Sequence, residues 1–181
     1  VDMEWKPSFT KGKENPVALV QVSCGDAVLL AQVFNMDPPG VPPLLAAVLG
    51  DAGTRKVGVG LHGDAVKLKK DWNSDVMGRV DIAQFAKAVS REELGRSLAA
   101  ITESILGIAL SKAKKVRMSN WATPSLSLKQ QVYAALDAWV SSEALPDLER
   151  QVNATAEPDP TYPLPRGGRG GSQRFYAVTH E

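Results

Sequence analysis

Two acids set two residues apart carry the first hint of chemistry in this chain. Val1-Asp2-Met3-Glu4-Trp5 alternates apolar and acidic side chains, the period of a β-strand, so Asp2 and Glu4 share one face. Carboxylates on neighbouring rungs of a rigid strand are half of a site for a divalent cation, because hard cations take several anionic oxygens held in place. With 20 Asp and Glu among 181 residues, an acid-x-acid triplet arises about twice by chance, so the pair needs partners elsewhere. One candidate is Asp64, which follows a short apolar stretch in Val57-Gly58-Val59-Gly60-Leu61-His62-Gly63-Asp64. Another is Asp137, four residues after Tyr133 and so on the same helix face. An acid turned inward on that helix is costly to bury without a partner.

The elements that must position these groups are legible from periodicity and punctuation. After the opening strand, Lys6 to Asn15 is a polar, lysine-bearing loop. Pro16 to Val22 and Ala27 to Phe34 read as strands joined by the turn Ser23-Cys24-Gly25-Asp26, a hairpin that with the first strand makes a three-stranded antiparallel meander. A Pro-rich hinge, Asp37 to Gly40, precedes a helix over about Pro42 to Leu49. Lys56 to Gly60 is a short strand, Asp64 to Lys70 opens a helix, and Arg79 to Ile82 is a strand leading into a helical turn through Phe85. Leu98, Ile101, Ile105 and Leu106 fall at helical spacing within Arg96 to Leu106. Lys112 to Trp121 is a basic loop, and Ser127 with Gln130 forms a capping box for a long helix from Leu128 to about Leu145. A hairpin first and strand–helix alternation afterwards describe a mixed sheet covered by helices, in which a carboxylate after a strand and one on a late helix can converge on the opening strand. No internal repeat is visible.

The chain is identified by its motifs as similar to a known family. Asp2-Met3-Glu4-Trp5, Gly58-Val59-Gly60 followed by Asp64, and Tyr133-Ala134-Ala135-x-Asp137-Ala138 resemble, in order, the three exonuclease motifs of the DEDD superfamily, tyrosine type. The Trp after the Glu, the lysine-rich loop, and Arg117-Met118-Ser119-Asn120-Trp121 resemble the Werner syndrome exonuclease branch and its plant relatives more than the related ribonuclease D. The resemblance covers roughly residues 1 to 145. It implies an α/β, RNase H-like fold with a mixed sheet of five to six strands. It also implies metal-dependent 3′-to-5′ hydrolysis of nucleic acid, DNA favoured over RNA. Asp2, Glu4, Asp64 and Asp137 would hold two divalent cations, Mg²⁺ or Mn²⁺, which suit oxygen-only ligands. Asp2 would bridge both ions, Glu4 and Asp137 would complete the tighter site, Asp64 would hold the second ion through water, and Tyr133 would orient the attacking water. The partner is then a single strand or recessed 3′ end, and the resemblance favours the nucleus over the cytoplasm.

Other readings of the same residues carry less. Gly58-x-Gly60-x-x-Gly63 follows a strand and precedes a helix, with Asp81 about twenty residues on, the pattern of a dinucleotide-binding oxidoreductase. Against it, the strand follows a hairpin, Asp64 would set a carboxylate beside the pyrophosphate, and Asp2, Glu4, Tyr133 and Asp137 stay unexplained. An inactive nucleic-acid-binding scaffold of the same fold is opposed by the presence of all four acids and the tyrosine. His62 reads as a loop histidine with nothing to orient it, and Asp64 doubles as a helix-capping acid. Lys112, Lys114, Lys115 and Arg117 are candidate phosphate contacts. Trp121 is a candidate for base stacking, with anchoring of the loop to the core the stronger reading; Trp5 reads as packing.

Composition bounds the rest. A net charge of +1, with 21 basic against 20 acidic side chains, provides no global field for a polyanion, so nucleic-acid contacts must be local. A lone cysteine, Cys24, excludes an intrachain disulfide and a cysteine-rich zinc site and fits a reducing, intracellular setting. No apolar run approaches the roughly 18 residues of a membrane span, and no signal peptide is visible. Starting at Val1 without an initiator Met and inside an expected strand, the sequence reads as a fragment or a processed form. Residues 1–150 read as the catalytic domain. Residues 151–181, with four prolines and Arg166-Gly167-Gly168-Arg169-Gly170-Gly171, read as a disordered tail, a weak nucleic-acid binder or a linker.

Overall fold

The computed structural model describes residues 1–88, 94, 95, 97–110 and 114–155. Lys112 and residues 156–181, most of the expected tail, lie outside the described residues. Strands β1 (Asp2–Trp5), β2 (Val17–Cys24) and β3 (Ala27–Ala31) form an antiparallel sheet in the order β1-β2-β3. The register pairs Asp2 with Gln21, Met3 with Val20 and Glu4 with Leu19, then slips by a bulge so that Trp5 meets Val17. Opposite faces therefore divide cleanly. Val1, Met3, Val17 and Val20 enter a buried cluster with Leu49, Leu61 and Leu68, while Asp2 and Glu4 point to the other side.

Helix α1 (Pro43–Gly50) leads to β4 (Lys56–Gly58), α2 (Leu61–Trp72) and β5 (Arg79–Asp81). β4 and β5 pair in parallel as a two-stranded ladder around α2. The two ladders meet at one point, where the main-chain nitrogen of Val1 donates to Val57 O at 2.6 Å. A Cβ on Gly58 would stand 2.6 Å from Val1 O, so only glycine allows β4 to lie against the end of β1. Five strands of mixed direction result, as expected, with the ladder divided three and two among the described residues.

Helices α3 (Ile82–Ala88), α4 (Leu98–Leu106), α5 (Lys114–Arg117) and α6 (Leu128–Thr155) complete the described elements. The capping box forms: Ser127 Oγ accepts from Gln130 N, and Gln130 Oε1 accepts from Ser127 N at 3.0 Å.

Several boundaries differ from expectation. The third strand stops at Ala31 rather than Phe34, because Gln32 and Asn35 turn their amides onto Thr123 O and Val33–Asn35 becomes a 3₁₀ turn. Helix α2 starts at Leu61, so His62 is an exposed residue of its first turn, not a loop residue. Part of the basic loop is helical, as α5. The last helix runs through Pro146 to Thr155 instead of ending near Leu145. Proline in a helix interior costs about 3 kcal/mol, yet Ala144 and Leu148 bury completely against Ile82, Ala86 and Ile101, and that packing holds the segment beyond the proline in line.

Candidate metal centre

The site lies where β1, α2 and α6 meet. α6 approaches the sheet closely because Ala134 and Ala138, one turn apart, are fully buried and small. Tyr133 and Asp137, each one position earlier, then lie half-buried at the rim facing β1. The carboxylates of Asp2, Glu4 and Asp137 converge, with one oxygen from each lying within 4.8 Å of the others. The Tyr133 hydroxyl stands close enough to the Asp137 carboxylate for each to act on the other's ionisation. Asp64 is the fourth residue of α2, on the turn whose Leu61 and Ala65 face the core. It stands outside the three-carboxylate cluster but close enough to act electrostatically on Asp2 and Glu4.

Its local role also differs from the capping alternative. The N-cap of α2 is Gly60, in the left-handed region at φ 76°, and the residue that secures it is Asp81, whose carboxylate accepts from Gly60 N at 2.7 Å. The other Asp81 oxygen accepts from Ala83 N and Gln84 N at the start of α3. The glycine stretch is thus closed by the acid that a dinucleotide fold would aim at a ribose, and Gly58 is spent on contact with β1. Strand, glycine turn, helix and parallel strand are all present, but the N–H donor at Gly60 is already taken.

Electrostatics mark the cluster as short of positive charge. Burial and the carboxylates of Asp2, Asp137 and Asp64 push Glu4 up to about 9, against a pull downward from Arg117. Burial and Asp2 raise Asp137 to about 7, with the Tyr133 hydroxyl opposing. Burial and then Asp2 raise Asp64 to about 7, and burial also raises Asp2. Burial and the neighbouring acids keep the Tyr133 phenol protonated. Acids crowded this way share too few protons and cations to be at ease ionised. An all-oxygen donor set with this deficit fits Mg²⁺ or Mn²⁺.

The basic candidates separate. Lys114, Lys115 and Arg117 are exposed on α5, and Arg117 also acts on Glu4. Trp121, expected as one option to stack on a base, is wholly buried. It packs with Leu19 and Ala134, its ring lies 6.1 Å from that of Tyr133, and its Nε1 donates to Arg117 O at 3.1 Å. It offers no face to a nucleotide and instead ties α5 to the edge that carries the carboxylates. Trp5 is packing, as read: its ring lies under the Lys67 ammonium at 5.1 Å. Lys67 also pairs with Asp71 at 2.9 Å, and Asp71 accepts from Val17 N at the bulge. Sequence reading had no role for Gln21; a lone amide in the apolar run Val17-Ala18-Leu19-Val20-Gln21-Val22 was the available signal.

Residues 1–153 match the 3′-5′ exonuclease family, and the chain belongs to it. A 3′-5′ exonuclease of Arabidopsis thaliana is 34% identical over 142 residues, 78% of this chain and 49% of that protein. The bifunctional 3′-5′ exonuclease/ATP-dependent helicase WRN of Mus musculus is 32% identical over 139 residues, 76% of this chain and 10% of that protein. The chain thus spans about half the plant relative and a tenth of the mouse one. Among solved structures, the Nibbler EXO domain of Aedes aegypti superposes with a TM-score of 0.70 at 27% identity, covering 84% of this chain and 78% of that one.

Proposed function

We propose that this domain removes nucleotides from the 3′ end of nucleic acid, DNA in preference to RNA, by hydrolysis that depends on two divalent cations, Mg²⁺ or Mn²⁺. The observation that carries the reading is the convergence of Asp2, Glu4 and Asp137 within 4.8 Å in a chain of the 3′-5′ exonuclease family. Asp2, Glu4 and Asp137 would hold one ion, and Asp2 with Asp64 the other. Bound there, the cations would supply Lewis-acid stabilisation for charge on the attacking and leaving oxygens of the phosphodiester.

The chain's own residues do the rest. Tyr133, kept protonated beside Asp137, holds the attacking water by its hydroxyl. β1 sets Asp2 and Glu4 on adjacent rungs, and the buried alanines of α6 fix Asp137 against them, so no reorganisation is needed as charge develops. Arg117, Lys114 and Lys115 attract the phosphates of the incoming strand.

The test is incubation of end-labelled single strands and recessed 3′ ends, as DNA and as RNA, with Mg²⁺ or Mn²⁺. Stepwise shortening from the 3′ end that disappears in Asp2→Ala and Asp137→Ala supports the reading. Cleavage surviving both substitutions overturns the two-metal assignment, and binding without cleavage by the intact protein makes it an inactive scaffold. Faster RNA than DNA degradation reverses the substrate preference. Nuclear residence is part of the same proposal, and fluorescence imaging of the tagged full-length protein checks it.

A further inference from the structure

Gln21 sits in the middle of β2 with 0% of its surface exposed, and both its amide nitrogen and its amide oxygen lack a hydrogen-bond partner among the described residues. A buried amide left unpaired is destabilising, so a side chain kept in this state points to a partner that ligand binding brings to it. Its place in the ladder says where. Gln21 is the register partner of Asp2, and directly opposed residues of an antiparallel pair share a face with Cβ atoms about 5 Å apart. On that face Leu19 packs under Trp121 and Ala134, and Ser23 Oγ meets Ser142 Oγ of α6 at 3.1 Å. Gln21, between them, lies beneath α6 and beside the carboxylate that belongs to every grouping in the site.

We infer that Gln21 is the positioning residue of the metal centre: when a cation binds, its amide takes up the Asp2 carboxylate, and water bound with the cation, and holds them in the orientation that ligation requires. The inference rests on the exonuclease reading above. Ligating carboxylates are themselves held by outer hydrogen bonds whose loss costs about 10–100-fold in metal affinity. A glutamine supplies both polarities without charge, a donor for the carboxylate and an acceptor for bound water. A lysine there would compete with the cation, and a fourth acid would add to the repulsion.

The test uses metal-free protein and Mn²⁺ as probe, with affinity read by calorimetric titration and folding by circular dichroism and thermal melting. Gln21→Met keeps the shape and Gln21→Leu removes the length. In both, Mn²⁺ affinity should fall about tenfold or more, while the metal-free melting temperature holds or rises, because an unpaired buried amide has been replaced by an apolar group. Mn²⁺ affinity within about threefold of the parent, under 1 kcal/mol, overturns the inference. So does an equal loss of affinity in Ser23→Ala, which disturbs the same face without touching the partner of Asp2. Failure of both Gln21 variants to fold also overturns it, since the amide would then serve the metal-free fold. Asp2→Asn separates the two readings: no Mn²⁺ binding by the intact protein sinks the exonuclease reading itself. Binding that is lost in Asp2→Asn and kept in Gln21→Met sinks only the role of Gln21.

Discussion

Tyr133 and Asp137 stand one turn apart on α6, close enough for each to act on the other's ionisation, so a neutral phenol lies at the edge of a three-carboxylate cluster. The pairing sets a group able to hold water beside a group able to hold a cation. Its ring is held from behind by Trp121, so the hydroxyl can be removed without emptying the space. Tyr133→Phe should therefore fold as the parent does, bind Mn²⁺ within a few-fold, and lose about 10²-fold in kcat, the usual range for a positioned proton or water contact. Single-turnover rates on a labelled strand decide it, and an unchanged kcat would remove the water-holding role from this residue.

Metal and pH should act on stability in opposite directions. Glu4 is raised to about 9, and Asp137 and Asp64 to about 7, above their ordinary carboxyl values of 4.5 and 3.8. The folded, metal-free protein thus holds more protons than the unfolded chain between those limits. Its stability is fully present at low pH and is lost as pH rises through the folded values. The melting temperature of metal-free protein should fall from about pH 5 to about pH 9, and the gain produced by saturating Mg²⁺ should grow over the same window. A metal-induced gain that is flat with pH would contradict the assignment of these acids as ligands.

Gly58→Ala should damage the fold and the site together. The added carbon would meet Val1 O, a main-chain atom, at 2.6 Å, and β4 would have to move off the end of the strand that carries Asp2. Overpacking of this kind costs about 1–3 kcal/mol. Thermal melting should show that loss, and Mn²⁺ affinity should weaken with it. Gly63→Ala, with open space around the added carbon, is the control.

Arg117→Ala should weaken substrate binding in a salt-dependent way. The residue is exposed and its charge reaches Glu4, so it borders the carboxylate cluster that the proposed substrate strand would approach. Fluorescence anisotropy at several salt concentrations should show a slope of log affinity against log salt reduced by about 1. An unaltered slope would take phosphate contact away from Arg117 and leave it to Lys114 and Lys115.

Short-range order and the choice of candidate groups were determined by the sequence alone. Alternation through Val1–Trp5, the hairpin around Gly25, the capping box of Ser127 and Gln130, and the Tyr133–Asp137 spacing all depend on neighbours within about four residues, where type and spacing suffice. Tertiary structure decided what depends on distant neighbours. Trp121 is buried because β2 and α6 close over it. Asp64 stands apart from Asp2, Glu4 and Asp137 because the start of α2 is set at Gly60 by Asp81 from another strand. α6 continues past Pro146 because Leu148 finds a core built from α3 and α4. Gln21 meets Asp2 only through the strand register. A periodic pattern says which way a side chain points along its own element; what it meets there depends on packing between residues far apart in the chain, where burial outweighs local preference.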